Sequence, residues 1–146
     1  MKLQQLSLFL ENRPGQLRAP CRVLADAGID ILTLSLADTA QFGILRLIVR
    51  NWERARGVLH AAGMVVNVTE VVPVIIDDRV GALAELLGHL ETAGLGVEYM
   101  YPFAVPPAGG KAALIFRFER PNEALEVLRK HGVSVLDAEA LLALRA

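Results

Sequence analysis

A chain of 146 residues with 53% hydrophobic content and a formal charge of −1 is globular, and it lacks the basic excess that nucleic acid selects. Its apolar runs fall short of the roughly 18 to 20 residues that cross a bilayer, and no charged-then-apolar leader opens it, so the expectation is a cytoplasmic protein with no membrane partner. The single cysteine, Cys21, rules out an internal disulfide and a cysteine metal cage.

In chain order, residues 3–10 set Leu6, Leu8 and Leu10 against Gln5, Ser7 and Phe9, the alternation of a half-buried strand. The loop Glu11-Asn12-Arg13-Pro14-Gly15-Gln16-Leu17 comes next. Over residues 15–27, Leu17, Cys21 and Leu24 fall at helical spacing, with Gly28 as the stop. Pro20 lacks a backbone donor and fits that helix only near its first turn. Cys21 lies on the apolar face and is expected to be a buried, inert thiol. Residues 29–38 and 43–50 alternate again, around a hairpin turn at Thr39-Ala40-Gln41-Phe42. Ala55, Val58, Leu59 and Ala62 then share one face of a helix over residues 52–62, ended by Gly63.

Residues 64–76 are almost wholly apolar and too long for one ordinary strand, so two strands are expected, with a break between Glu70 and Pro73. A second copy of the same order then begins. Asp77-Asp78-Arg79-Val80-Gly81-Ala82-Leu83 repeats the earlier loop at a constant offset of 66 residues, which also relates Gly94 to Gly28. It leads into a helix over residues 80–93 with Leu83, Leu87 and Leu90 aligned, then strands over residues 95–103 and 111–120. The turn Val105-Pro106-Pro107-Ala108-Gly109-Gly110 between them is longer than its counterpart, and beyond it the offset becomes 69. A helix over residues 123–131 stops at Gly132, and a strand over residues 133–136 completes the copy. Residues 137–146 read as a short helix, capped by Asp137 and stapled by Leu136 and Leu141.

A βαββαβ unit folds as an antiparallel four-stranded sheet with both helices on one face. The fold class is therefore α+β: two ferredoxin-like βαββαβ units, residues 1–70 and 71–146, packed side by side because halves of about 70 residues are near the lower limit for independent cores. The repeated loop brings N–H groups to a helix start, where orphan donors and the dipole favour a carboxylate. Gly15 and Gly81 allow close approach to the main chain, and Asn12 and Asp78 bring side-chain oxygens that accept from an ammonium group. Together these match the charged ends of a free amino acid. The plainer alternative is that Asn12 and Asp78 cap helices and the glycines make turns.

At these residues the chain resembles the ACT domain, and specifically small proteins built of two ACT domains in tandem. The resemblance rests on residues 9–17, on Ala25-Asp26-Ala27-Gly28-Ile29-Asp30-Ile31, on Ala37-Asp38-Thr39 followed by residues 42–49, and on the looser second copy of the loop. It implies a regulatory module that binds a free amino acid at interfaces between ACT units. The ligand-binding residues it implies are Asn12, Arg13, Pro14, Gly15, Gln16, Asp30 and Ile31, with Asp78, Val80 and Gly81 from the second copy. Val80 stands where the family commonly has proline. The resemblance further implies a homodimer, with action by oligomerisation or on an amino-acid biosynthetic enzyme in trans.

Other classes fare less well. His60, His89 and His131 fall on separate helices without metal-ligand spacing and are expected at the surface, and no serine elbow or phosphate loop is present, so neither catalysis nor a cofactor or metal is expected. RNA recognition on this topology needs aromatic residues on the central strands, and Phe9 alone qualifies there, while Phe116 and Phe118 share a face with Leu114 and read as core. A pure oligomerisation module, using exposed edge strands and no ligand, is the alternative kept.

Overall fold

The computed structural model describes residues 3–38 and 40–145, with Asp38 through its backbone alone. Thr39, expected in the first hairpin turn, and Ala146, at the end of the expected tail helix, lie outside the described residues. The elements are β1 (Leu3–Glu11), α1 (Arg18–Asp26), β2 (Ile31–Asp38), β3 (Phe42–Val49), α2 (Trp52–Ala61), β4 (Asn67–Asp77), α3 (Ala82–Thr92), β5 (Val97–Pro102), β6 (Lys111–Phe118), α4 (Pro121–Lys130), β7 (Ser134–Val135) and α5 (Ala138–Ala143). The order is βαββαβ read twice with β4 shared between the two readings, then a tail helix, and no helix among the described residues is long and apolar enough to cross a membrane.

Two compact units emerge, Gln4–Thr69 and Glu70–Ala146, with Leu3 counted in the latter. In the first, β3 lies antiparallel between β1 and β2, and β4, whose residues 67–69 belong here, is the other neighbour of β1. Leu6, Leu8, Leu45 and Leu47 bury their side chains with Leu24 of α1 and with Ala55 and Leu59 of α2. In the second, β6 lies antiparallel between β4 and β5, and β7 pairs with the other side of β4. Val72, Val74, Leu114, Phe116 and Phe118 form its core with Leu86 and Leu90 of α3 and Ala124 and Leu128 of α4, so the three-residue stripe of β6 is core as expected.

Several local expectations are corrected. The long apolar stretch holds no break at Glu70 to Pro73: β4 runs through as one strand of 11 residues, beginning only at Asn67. Pro73 shortens its neighbour instead. Leu136 donates to the Pro73 carbonyl at 3.0 Å, but proline has no N–H to return the bond, and β7 pairs only at Val74 and Ile75. In α1 the buried residues are Pro20 and Leu24, while Leu17 is exposed and Cys21 half-buried. In α3 the buried stripe is Ala82, Leu86 and Leu90, with Leu83 and Leu87 flanking it. Leu34 and Leu36 stand about half exposed on β2, an edge strand with a register shift between Ile31 and Thr33. Phe42, expected in a turn, opens β3 opposite Glu11 and is exposed like Phe9.

Helix boundaries follow local chemistry. Glycines with positive φ end the first four helices at Gly28, Gly63, Gly94 and Gly132, and Ala62 lies just past α2. Asp137 caps α5, its Oδ1 accepting from the Ala140 amide at 2.7 Å, as expected. Two signals were missed: Asn51, which accepts from the Arg54 amide at 3.2 Å and caps α2, and Pro121, pre-set for the first turn of α4.

Candidate functional site

The loop between first strand and first helix keeps three equivalent backbone hydrogen bonds in the two copies, and the first copy adds a bond from the Arg13 amide to the Glu11 carbonyl at 2.9 Å. The amide of Asn12 donates to the Gln41 carbonyl at 2.9 Å, and that of Asp78 to the Gly110 carbonyl at 2.8 Å, so each loop is tied to the hairpin of its own unit. Gln16 N–H to Arg13 at 3.3 Å recurs as Ala82 to Arg79 at 3.2 Å, and Ala19 to Gly15 at 3.1 Å as Glu85 to Gly81 at 3.0 Å. Both helices thus open on equivalent bonds, but α1 becomes regular only at Arg18. Pro20 cannot donate to Gln16, whereas its counterpart Leu86 carries an N–H, and this sets the two starts apart.

Gly15 and Gly81 have φ of 89° and 88°, and a Cβ on either would meet nothing within 4 Å. Their requirement is the left-handed backbone, not a crowded neighbour. Helix capping, by contrast, does not account for Asn12 and Asp78. The N-cap positions are Leu17 and Gly81, and neither helix has a side-chain cap. Asn12, Arg13, Pro14, Gly15 and Asp78 are all exposed, Gln16 is half-buried and Val80 is fully exposed. Asp30 is exposed just before β2, and Ile31 is half-buried at its start.

Beside each loop, within its own unit, lies a crevice between the first helix and the turn after the second. The first, about 260 Å³, is lined by Phe9, Leu10, Gln16, Ala19, Pro20, Met64 and Val65 among others. The second, about 300 Å³, is lined at the register-equivalent positions by Ile75, Ile76, Ala82, Glu85, Leu86, Val133 and Ser134. Of the residues expected to bind ligand, only Gln16 lines the first crevice, and Asp78, Val80 and Gly81 stand outside the second.

The second crevice is the polar one. Arg79 bonds both oxygens of Glu85, at 3.2 and 2.7 Å, and lies 3.6 Å from Asp77, which also pairs with Lys111. Hydrogen bonding from Lys111 holds the Asp77 carboxyl below the usual carboxylate range, and Arg79 does the same for Glu85. The guanidinium of Arg79 is raised in turn by Glu85. His89 of α3 and His131, just past α4, stack with ring centroids 3.8 Å apart at 12°. Separate helices thus bring these two histidines together, His131 exposed and His89 half-buried, while His60 is exposed elsewhere. In the first copy the equivalent positions hold Ala19, Val23, Ala62 and Phe42, and only the Arg13 pair with Glu11, at 2.9 Å, recurs. Among the described residues no three His, Cys, Asp or Glu are grouped to hold a metal ion.

Glu85, His89, Lys111 and His131 escaped sequence reasoning. Aligning the copies for their differences, not their shared loop, would have marked each position but not that they meet.

Known proteins place this architecture. No curated protein matches the chain. A protein of known structure from Bacteroides thetaiotaomicron is 38% identical over 97% of this chain and 96% of its own, with a TM-score of 0.89. The ligand-free regulatory subunit of aspartate kinase from Thermus thermophilus shares the fold at 15% identity and TM-score 0.60, over 87% of this chain and 90% of its own. The regulatory subunit of aspartate kinase from Thermus flavus does so at 16% and 0.60, over the same shares. The family described as the ACT domain pair matches residues 1–145, and the chain belongs to it.

Proposed function

We propose that the chain is an amino-acid-sensing regulatory protein, not an enzyme, holding a free amino acid against the repeated loop. The observation that carries this reading is that both loops are exposed, keep three equivalent backbone hydrogen bonds, and leave Asn12 and Asp78 unspent on capping. A carboxylate fits the helix start, and the ammonium group fits the side-chain oxygen of Asn12 or Asp78. Asp30 and Ile31, contributed by the second strand of another copy, complete the site at the first loop in a homodimer; Val80 and Gly81 shape the second. Membership of the ACT domain pair family and the fold shared with regulatory subunits of aspartate kinase support a regulatory role. The output is a change in assembly or contact with a biosynthetic enzyme in trans, inside the cytoplasm.

Titration calorimetry of the full chain with the common amino acids tests it. Asn12→Ala is expected to weaken binding about tenfold or more, as loss of a charged hydrogen bond does, while the melting temperature stays within about 2 °C. Unchanged affinity in that variant rejects the loop assignment.

A further inference from the structure

The two crevices are an internal comparison: same position, same backbone, different chemistry. Resting on the amino-acid reading, we infer that the crevice of the second unit is itself a ligand site, and that it selects a zwitterion bearing a planar ring.

The charge pattern comes first. Arg79, Lys111, Asp77 and Glu85 balance one another, so a ligand with a single net charge gains little from the set. One with a carboxylate and an ammonium group gains at both ends. The pairing does not exhaust them. Among the contacts of the described residues Lys111 gives one of its three N–H donors to Asp77, and Arg79 keeps a donor beyond its bonds to Glu85 and the Val80 carbonyl. Each carboxylate likewise has more acceptor sites than bonds. A zwitterion can enter without breaking either pair.

The ring preference comes from the histidines. Two imidazoles stacked 3.8 Å apart form a plate at the crevice wall, and a third planar ring continues such a stack at little cost in conformational freedom. Ile75, Ile76, Leu86 and Val133 supply an apolar floor. A volume of about 300 Å³ is at the small end of ligand pockets, right for a single amino acid with an aromatic or imidazole side chain. The first unit has Val23 and Ala62 where the plate would be and Ala19 in place of Glu85, so its crevice lacks both features.

The test borrows the first unit's own residues. Calorimetry of the full chain compares phenylalanine, tyrosine, tryptophan and histidine with alanine and leucine, in the parent and in the double variant His89→Val, His131→Ala. The parent is expected to bind at least one ring-bearing amino acid tenfold or more tighter than alanine, and the double variant to lose that preference. Arg79→Ala, on the exposed side, is expected to weaken every amino acid in common, and serves if the double variant fails to fold. Equal binding of ring-bearing and aliphatic ligands by the parent, a preference untouched by the double variant, or affinities untouched by Arg79→Ala overturns the crevice assignment. If binding is then abolished by Asn12→Ala, the amino-acid reading stands without it. If no amino acid binds the parent, both fall.

Discussion

Single residues in this chain divide by backbone conformation before they divide by chemistry. Gly57 sits inside α2 and Gly81 at the mouth of α3, and a Cβ added at either meets nothing within 4 Å. Space therefore does not distinguish them; φ does. Gly81 occupies the left-handed region at 88°, which an alanine enters only under strain, whereas Gly57 has ordinary helical geometry. Gly57→Ala is expected to stabilise the chain by about 0.5 to 1 kcal/mol and Gly81→Ala to destabilise it by about 1 kcal/mol or more. Urea unfolding of the two variants, read at constant m-value, checks both signs at once. The opposite result for Gly81 would mean that the loop relaxes readily, and a relaxing loop is a poor frame for a fixed pair of charges.

At the scale of elements, the periodicities that located strands and helices were legible because burial enforces them, and departures occur where another constraint outweighs burial. Leu34 and Leu36 alternate as core residues do, yet β2 is an edge strand and they stay half exposed. Leu17 has the spacing of a core residue but precedes a helix whose regular start Pro20 delays. The tail helix α5, predicted from a cap and a staple and not from periodicity, formed with its cap at Asp137 as expected, and that makes it a place to measure what a cap contributes. Its six residues are too few to be helical unaided. Removing the Asp137 side chain, as in Asp137→Ala, is expected to cost about 1 kcal/mol locally. The readout is hydrogen exchange: the Ala140 amide, which now donates to Asp137, should lose protection several-fold while amides of α4 keep theirs. Unaltered exchange at Ala140 would show that burial of Leu141 holds the helix without its cap.

For the whole molecule, duplication explains both what the sequence disclosed and what it hid. Agreement between copies revealed the fold and the loop, since a shared offset is visible without coordinates. The charged crevice was invisible for the complementary reason: Asp77, Arg79, Glu85, His89, Lys111 and His131 are scattered along the second copy and meet only through the sheet and helix packing of that unit. Divergence within a preserved frame also bears on how a ligand would be used. A ligand shifts an equilibrium only by its different affinity for the two states, so a sensor acting by assembly must bind one oligomeric form better than another. At about one hundred times its dissociation constant a ligand that binds only the folded chain adds about 2.7 kcal/mol, raising the melting temperature by about 5 to 10 °C at this chain length. If assembly is the output, that shift depends on protein concentration, and light scattering with and without the amino acid reports a change of mass. A melting shift independent of concentration, with constant mass, would reject control by oligomerisation and direct the search to an enzyme contacted in trans.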